Sequence, residues 1–180
     1  MDILKGECLL VSERITVMVE GALAVALSVV FSALRLWSMP QGGSITLEML
    51  PLFLFALRRG GRYGCAAGAV SGLMQLLTGG YIVHPLQALL DYPLAFGALG
   101  VAGFLRDRPL WIGLTLGALL RFLCHVLSGV VFFGSFAPEG SNGWVYSAVY
   151  NASFMAPTLL VCVLLAYIVW PRIRRAGNGR

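Results

Sequence analysis

The chain has 180 residues, of which 58% are hydrophobic and 12% charged, with a formal net charge of +5. Soluble domains carry roughly a quarter charged residues, so this composition excludes an ordinary soluble domain and points to an integral membrane protein. The basic residues are divided among short loops rather than gathered on one face, so topology explains the charge and no nucleic-acid partner is expected. Cys8, Cys65, Cys124 and Cys162 are scattered, without CxxC pairs or metal-ligand spacing, so neither a disulfide framework nor a metal site is expected.

Residues 1–14 are mixed and polar and read as a cytoplasmic N-terminal segment. The first apolar run, Ile15 to Leu36, is long enough to span a bilayer and to be retained rather than cleaved. It carries Glu20 and Arg35 near its ends, and small residues four apart, Ala22 and Ala26. That spacing suits close helix packing, either within the chain or against a partner protein. Residues 37–44 read as a loop, marked by Pro40 and the Gly42–Gly43 pair. Ile45 to Leu57 is apolar but short for a span and carries Glu48 and Pro51. Arg58, Arg59 and Arg62 form a basic turn before a glycine-rich helix from Tyr63 to Leu77.

A fourth helix is expected from His84 to Leu105, a fifth from Leu110 to Phe133 and a sixth from Trp144 to Trp170. Pro171 and a basic cytoplasmic tail, 171–180, follow. The chain thus predicts an all-α, six-helix transmembrane domain over 15–170. Of the 13 Lys and Arg, all but Arg35 and Arg121 fall on one side if six helices alternate. The positive-inside rule then places both termini in the cytoplasm.

Asp91 lies within an apolar stretch, YIVHPLQALLDYPLA, where a charge costs about 3 kcal/mol or more to insert and needs a partner, a cavity or a ligand. Steps of three and four place Tyr81, His84, Ala88 and Asp91 on one face of the fourth helix, and Arg121, His125, Ser128 and Phe132 on one face of the fifth. The sixth opens with Trp144, Tyr146, Ser147, Tyr150 and Asn151. Glu48 starts the second helix on the same side. Aromatic faces around an anion suit an organic cation, held by charge and by cation–π attraction. Each residue also has a structural reading: Asp91 and Arg121 as an ion pair, His125 as a core histidine, Asn151 as a helix–helix hydrogen bond, and Tyr146 and Trp144 as interface aromatics.

Four stretches, TLEMLPLFLFALRRG, LTGGYIVHPLQALLDYPLAF, RFLCHVLSGVVFF and Tyr146 to Asn151, resemble the ThiT-type (YuaJ-like) thiamine-binding S-components of energy-coupling factor vitamin transporters. The resemblance covers about residues 15 to 170. It implies a subunit that captures extracellular thiamine and performs no catalysis, beside a transmembrane partner subunit and two cytoplasmic ATPases, with no cofactor of its own. It also implies ligand contacts from Asp91, Tyr92, His125, Tyr146, Asn151, Glu48 and Tyr81. Ala22 and Ala26 correspond to the face used against the transmembrane partner. Phe133, also implied as a ligand contact, and Ser44 stand where the family commonly has tryptophans, and Asp91 where it typically has glutamate.

Two other classes remain open on the residues alone. One is an intramembrane enzyme using His125, Asp91 or Cys124. The other is a stand-alone secondary transporter for a small cation, coupled through Asp91, Arg121 and His125. A third alternative, within the family, is an S-component for another thiamine-related vitamer. Binding without turnover, product formation, and uptake without ATPases separate the classes.

Overall fold

Backbone polar groups have no water to bond in hydrocarbon, so apolar runs of this length fold as helices. The computed structural model describes residues 2–39 and 43–177. Among them, six helical segments succeed one another: α1, Asp2–Ala33; α2, Met49–Arg59; α3, Gly61–Leu77; α4, Pro85–Leu105; α5, Leu110–Phe132; and α6, Gly143–Gly177. The fold is the expected all-α membrane bundle. α1 from Val11, α4, α5 and α6 are long and apolar enough to cross a bilayer.

α2, with 11 residues, and α3, with 17, fall below the usual spanning length of about 20. α2 is short because it is the centre of the bundle rather than a wall. Its Met49, Leu52, Phe53 and Leu57 are at most 2% exposed and pack with Leu99 of α4, Leu114 of α5 and Cys162 of α6. The outward residues Leu23 and Val30 of α1, Leu119 and Leu123 of α5, and Leu160 and Leu164 of α6 are exposed and apolar, as a lipid-facing surface requires.

Gly64, Gly68 and Gly72 recur every four residues along α3 and face α4. A Cβ on Gly68 would collide with the Phe96 carbonyl, and one on Gly72 with the Tyr92 carbonyl. These small residues let the two backbones touch. Between α1 and α3, the fully buried hydroxyls of Ser71 and Ser28 are hydrogen-bonded at 2.9 Å.

Charges tie one end of the bundle. Arg59 grips Glu20 with Nε at 2.7 Å and Nη2 at 2.8 Å, Arg58 Nε lies 3.1 Å from the same carboxylate, and Arg58 Nη1 donates to the Ile173 carbonyl at 3.3 Å. Glu20 is thereby paired despite its place in an apolar helix. The end of α2 is joined to both α1 and α6.

Several boundaries differ from expectation. α1 begins at Asp2 instead of Ile15, since no proline interrupts residues 2–14 and the helix propagates through them. α6 continues through Pro157 and Pro171 to Gly177 instead of closing at Trp170. Near Pro171 side chains take up main-chain carbonyls, with Arg172 Nη1 donating to the Ile168 oxygen at 3.2 Å. The expected first loop contains a two-residue antiparallel pairing, β1, Trp37–Ser38, with β2, Ser44–Ile45. Pro40, Gln41 and Gly42 of that loop, and Asn178 to Arg180 of the tail, lie outside the described residues.

Candidate functional site

At the end of the bundle opposite Glu20 and Arg59, the helices part around a cavity of about 520 Å³. Its wall draws on the C-terminal ends of α1 and α3, the N-terminal halves of α4 and α6, and the C-terminal half of α5. All eight candidate ligand residues from the sequence line it: Glu48, Tyr81, Asp91, Tyr92, His125, Phe133, Tyr146 and Asn151.

Asp91 and Tyr92 are neighbours in sequence, and on an α-helix neighbours point about 100° apart. Leu90–Leu94 instead forms a π-helical turn around Pro93, which has no N–H to donate. The wider turn brings both side chains to the cavity, as such bulges commonly do at sites. Tyr92 then bends back, and its hydroxyl accepts the backbone N–H of Tyr81 at 2.7 Å.

The Asp91 carboxylate is held from three sides. Oδ1 lies 2.9 Å from His125 Nδ1, while Oδ2 accepts from Ser128 Oγ at 2.7 Å and from Gln87 Nε2 at 2.8 Å. Gln87 is 2% exposed, and its amide also joins the loop, receiving Val83 N–H at 3.1 Å and donating to the Tyr81 carbonyl at 3.1 Å. Behind His125, Arg121 Nε donates to His125 Nε2 at 3.2 Å and Nη2 donates to Glu48 Oε1 at 2.5 Å. The Arg121 guanidinium stacks 4.0 Å above the Phe96 ring. A continuous polar chain therefore runs from Glu48 through Arg121 and His125 to Asp91. The direct Asp91–Arg121 ion pair considered from the sequence is not formed, because Glu48 occupies the guanidinium and His125 stands between.

Aromatic rings form the rest of the wall. Tyr81 lies 6.1 Å from Phe133, and Phe133 6.2 Å from Phe136. On α6, Tyr146 stacks with Tyr150 at 6.3 Å, and Tyr150 Oη accepts the Gly43 N–H at 3.1 Å. Asn151 is buried and donates to the Ser147 carbonyl at 2.9 Å.

Some expected neighbours point elsewhere. His84 caps α4, its Nδ1 accepting Leu86 N–H at 3.1 Å, and stacks on Phe132 at 5.1 Å outside the cavity. Tyr81 precedes the helix rather than extending its face. Trp37 and Trp144 are 64% and 55% exposed and line no part of the cavity. Gln87 was missed, although its place one helical turn before Asp91 is a signal for a hydrogen bond to that carboxylate. Gln75, whose Nε2 is buried without a partner, also lines the cavity, and nothing in the sequence pattern singled it out.

Ala22 and Ala26 are exposed on α1, whereas Val17, Ala24 and Ser28 turn inward. The pair therefore faces away from the bundle, against the reading of packing within the chain.

Comparison with known proteins agrees with this architecture. A family model described as "Thiamine transporter protein (Thia_YuaJ)" matches residues 18–176. The thiamine transporter ThiT of Bacillus subtilis is 36% identical, with 93% of this chain and 98% of that protein covered. The ThiT of Lacticaseibacillus paracasei is 27% identical over 93% of this chain and 94% of that one. A solved structure of ThiT from Listeria monocytogenes superposes with a TM-score of 0.83 at 28% identity, covering 91% of this chain and 97% of the other.

Proposed function

Because the chain belongs to the thiamine transporter family, we propose that its cavity is where extracellular thiamine is captured, with Asp91 as the counter-charge of the thiazolium. As a family member it is a multi-pass bacterial membrane transport protein, the substrate-binding S-component type, and not an enzyme. The observation that carries the site reading is the clamp on Asp91. A carboxylate offers about four lone-pair sites, and His125, Ser128 and Gln87 already occupy three of them. Asp91 has its charge to offer but little hydrogen-bonding capacity left. Such a group suits a quaternary cation, which has no N–H to satisfy, better than an ammonium with three donors.

The aromatic wall of Tyr81, Phe133 and Tyr146 supports the same reading, since rings attract a desolvated cation through their faces. Tyr92 and Asn151 add polar groups able to read the aminopyrimidine. The basic end, with Arg58 and Arg59, is placed in the cytoplasm by the positive-inside rule. The cavity then opens outward, residues 1–14 and 171–180 lie inside the cell, and 15–170 form the substrate-binding domain. The outward-facing Ala22 and Ala26 offer a flat strip for a transmembrane partner, with two cytoplasmic ATPases supplying the energy.

Calorimetric titration of the detergent-solubilised protein with thiamine tests the proposal. Saturable submicromolar binding without turnover is the expected result. No heat of binding up to millimolar thiamine, in protein shown to be folded, would refute it.

A further inference from the structure

We infer that Arg121 is a positioning residue for this site: it locks His125 as the neutral Nδ1–H tautomer and pairs with Glu48, so that the one carboxylate in the cavity left without a cationic partner is that of Asp91. The inference rests on the reading of the cavity as a site for a monocation.

A guanidinium has only donors. With Arg121 Nε 3.2 Å from His125 Nε2, that imidazole nitrogen must present its lone pair. The ring's single proton is then on Nδ1, where it is donated to Asp91 Oδ1 at 2.9 Å. An imidazolium would set N–H against N–H and lose the bond to Arg121. The guanidinium is itself fixed, 7% exposed, stacked 4.0 Å over Phe96 and bonded to Glu48. In charge terms, Glu48 and Arg121 cancel and His125 is neutral, which leaves Asp91 without a cationic partner, while Arg35, the remaining cation of the lining, is exposed. A lysine at 121 would keep the charge but lacks the rigid fork that reaches Glu48 and His125 together. The second histidine provides an internal contrast. His84 Nδ1 accepts from Leu86 N–H at 3.1 Å, so its proton belongs on Nε2.

The test is a long-range proton–nitrogen correlation spectrum of ligand-free protein labelled with 15N-histidine, with His84→Asn used to assign the two rings. Two neutral rings of opposite tautomer are expected, His125 as Nδ1–H and His84 as Nε2–H. A His125 that is Nε2–H or doubly protonated overturns the inference, and the one variant this reading needs, His84→Asn, lies outside the cavity lining. In Arg121→Lys, the His125 signals should move toward the other tautomer and thiamine affinity should fall about tenfold, the loss of one charge-assisted hydrogen bond. Unchanged signals and affinity in that variant also overturn it. Thiamine titration of the same wild-type sample separates the two readings. A sample with the expected tautomers that ignores thiamine refutes the capture role, whereas one that binds thiamine with His125 as Nε2–H refutes only the role of Arg121.

Discussion

The hydroxyl of Tyr92 accepts the backbone N–H of Tyr81 at 2.7 Å, and this bond fastens the loop after α3 to the π-turn that carries Asp91. Gln87 adds a second fastening through the Tyr81 carbonyl. The loop that rims the cavity and the carboxylate in its floor are therefore held as one unit, so that ordering either helps to order the other.

Tyr92→Phe removes one hydrogen bond and keeps the ring. It should weaken thiamine binding by about 0.5 to 1.5 kcal/mol, the net worth of a neutral hydrogen bond, and speed amide hydrogen exchange at Tyr81. Unchanged exchange at Tyr81 alongside weakened binding would instead mean that the hydroxyl touches the ligand directly.

Asp91→Asn keeps the shape but removes the charge that faces the cavity. Thiamine affinity should fall by about 1 to 3 kcal/mol, the range for a charged contact, while a neutral pyrimidine analogue should bind as before. Calorimetry with both ligands checks this. Equal losses for the two ligands would show a collapsed clamp rather than a lost counter-charge.

Much of this was legible in the sequence because hydrocarbon simplifies the physics. Apolar length reports helices directly, and an aspartate between Leu90 and Tyr92 must have partners. Helical spacing brought His125 and Ser128 to one face, and both do reach Asp91. The same spacing failed for His84, because Pro85 begins the helix and leaves His84 as its cap. The π-turn was hidden as well. A proline inside an apolar run signals a kink but not the sense in which the turn widens, so the joint presentation of Asp91 and Tyr92 followed from the resemblance and not from periodicity. The pairing of Arg121 with Glu48 spans 73 positions, a separation at which no local pattern connects two residues.

Gly68→Ala tests the contact between α3 and α4. The added methyl would meet the backbone carbonyl of Phe96, which cannot swing aside as a flexible side chain can. Overpacking of this kind costs about 1 to 3 kcal/mol, and the thermal midpoint in detergent should drop accordingly. Gly134→Ala is the control, since no atom lies within 4 Å of a Cβ there, and its midpoint should stay at the wild-type value. Equal midpoints for the two variants would show that the helices have room to separate.

Ala22→Trp separates capture from energy coupling. Ala22 and Ala26 are exposed, and the residues at the end of α1 and just after it that line the cavity, Val29, Ser32, Ala33 and Arg35, lie about two to four turns beyond Ala22. Thiamine affinity of the isolated subunit should therefore change by less than about 0.5 kcal/mol, as for surface substitutions away from special features. A bulky indole on a strip of small residues prevents the close backbone approach that such strips permit. ATP-dependent thiamine uptake, measured with the transmembrane and ATPase subunits reconstituted in vesicles, should be lost. Lost binding would mean that this face packs within the subunit, in conflict with its exposure. Retained uptake would move the partner to another face, and the exposed apolar side chains of α5 would become the next surface to probe.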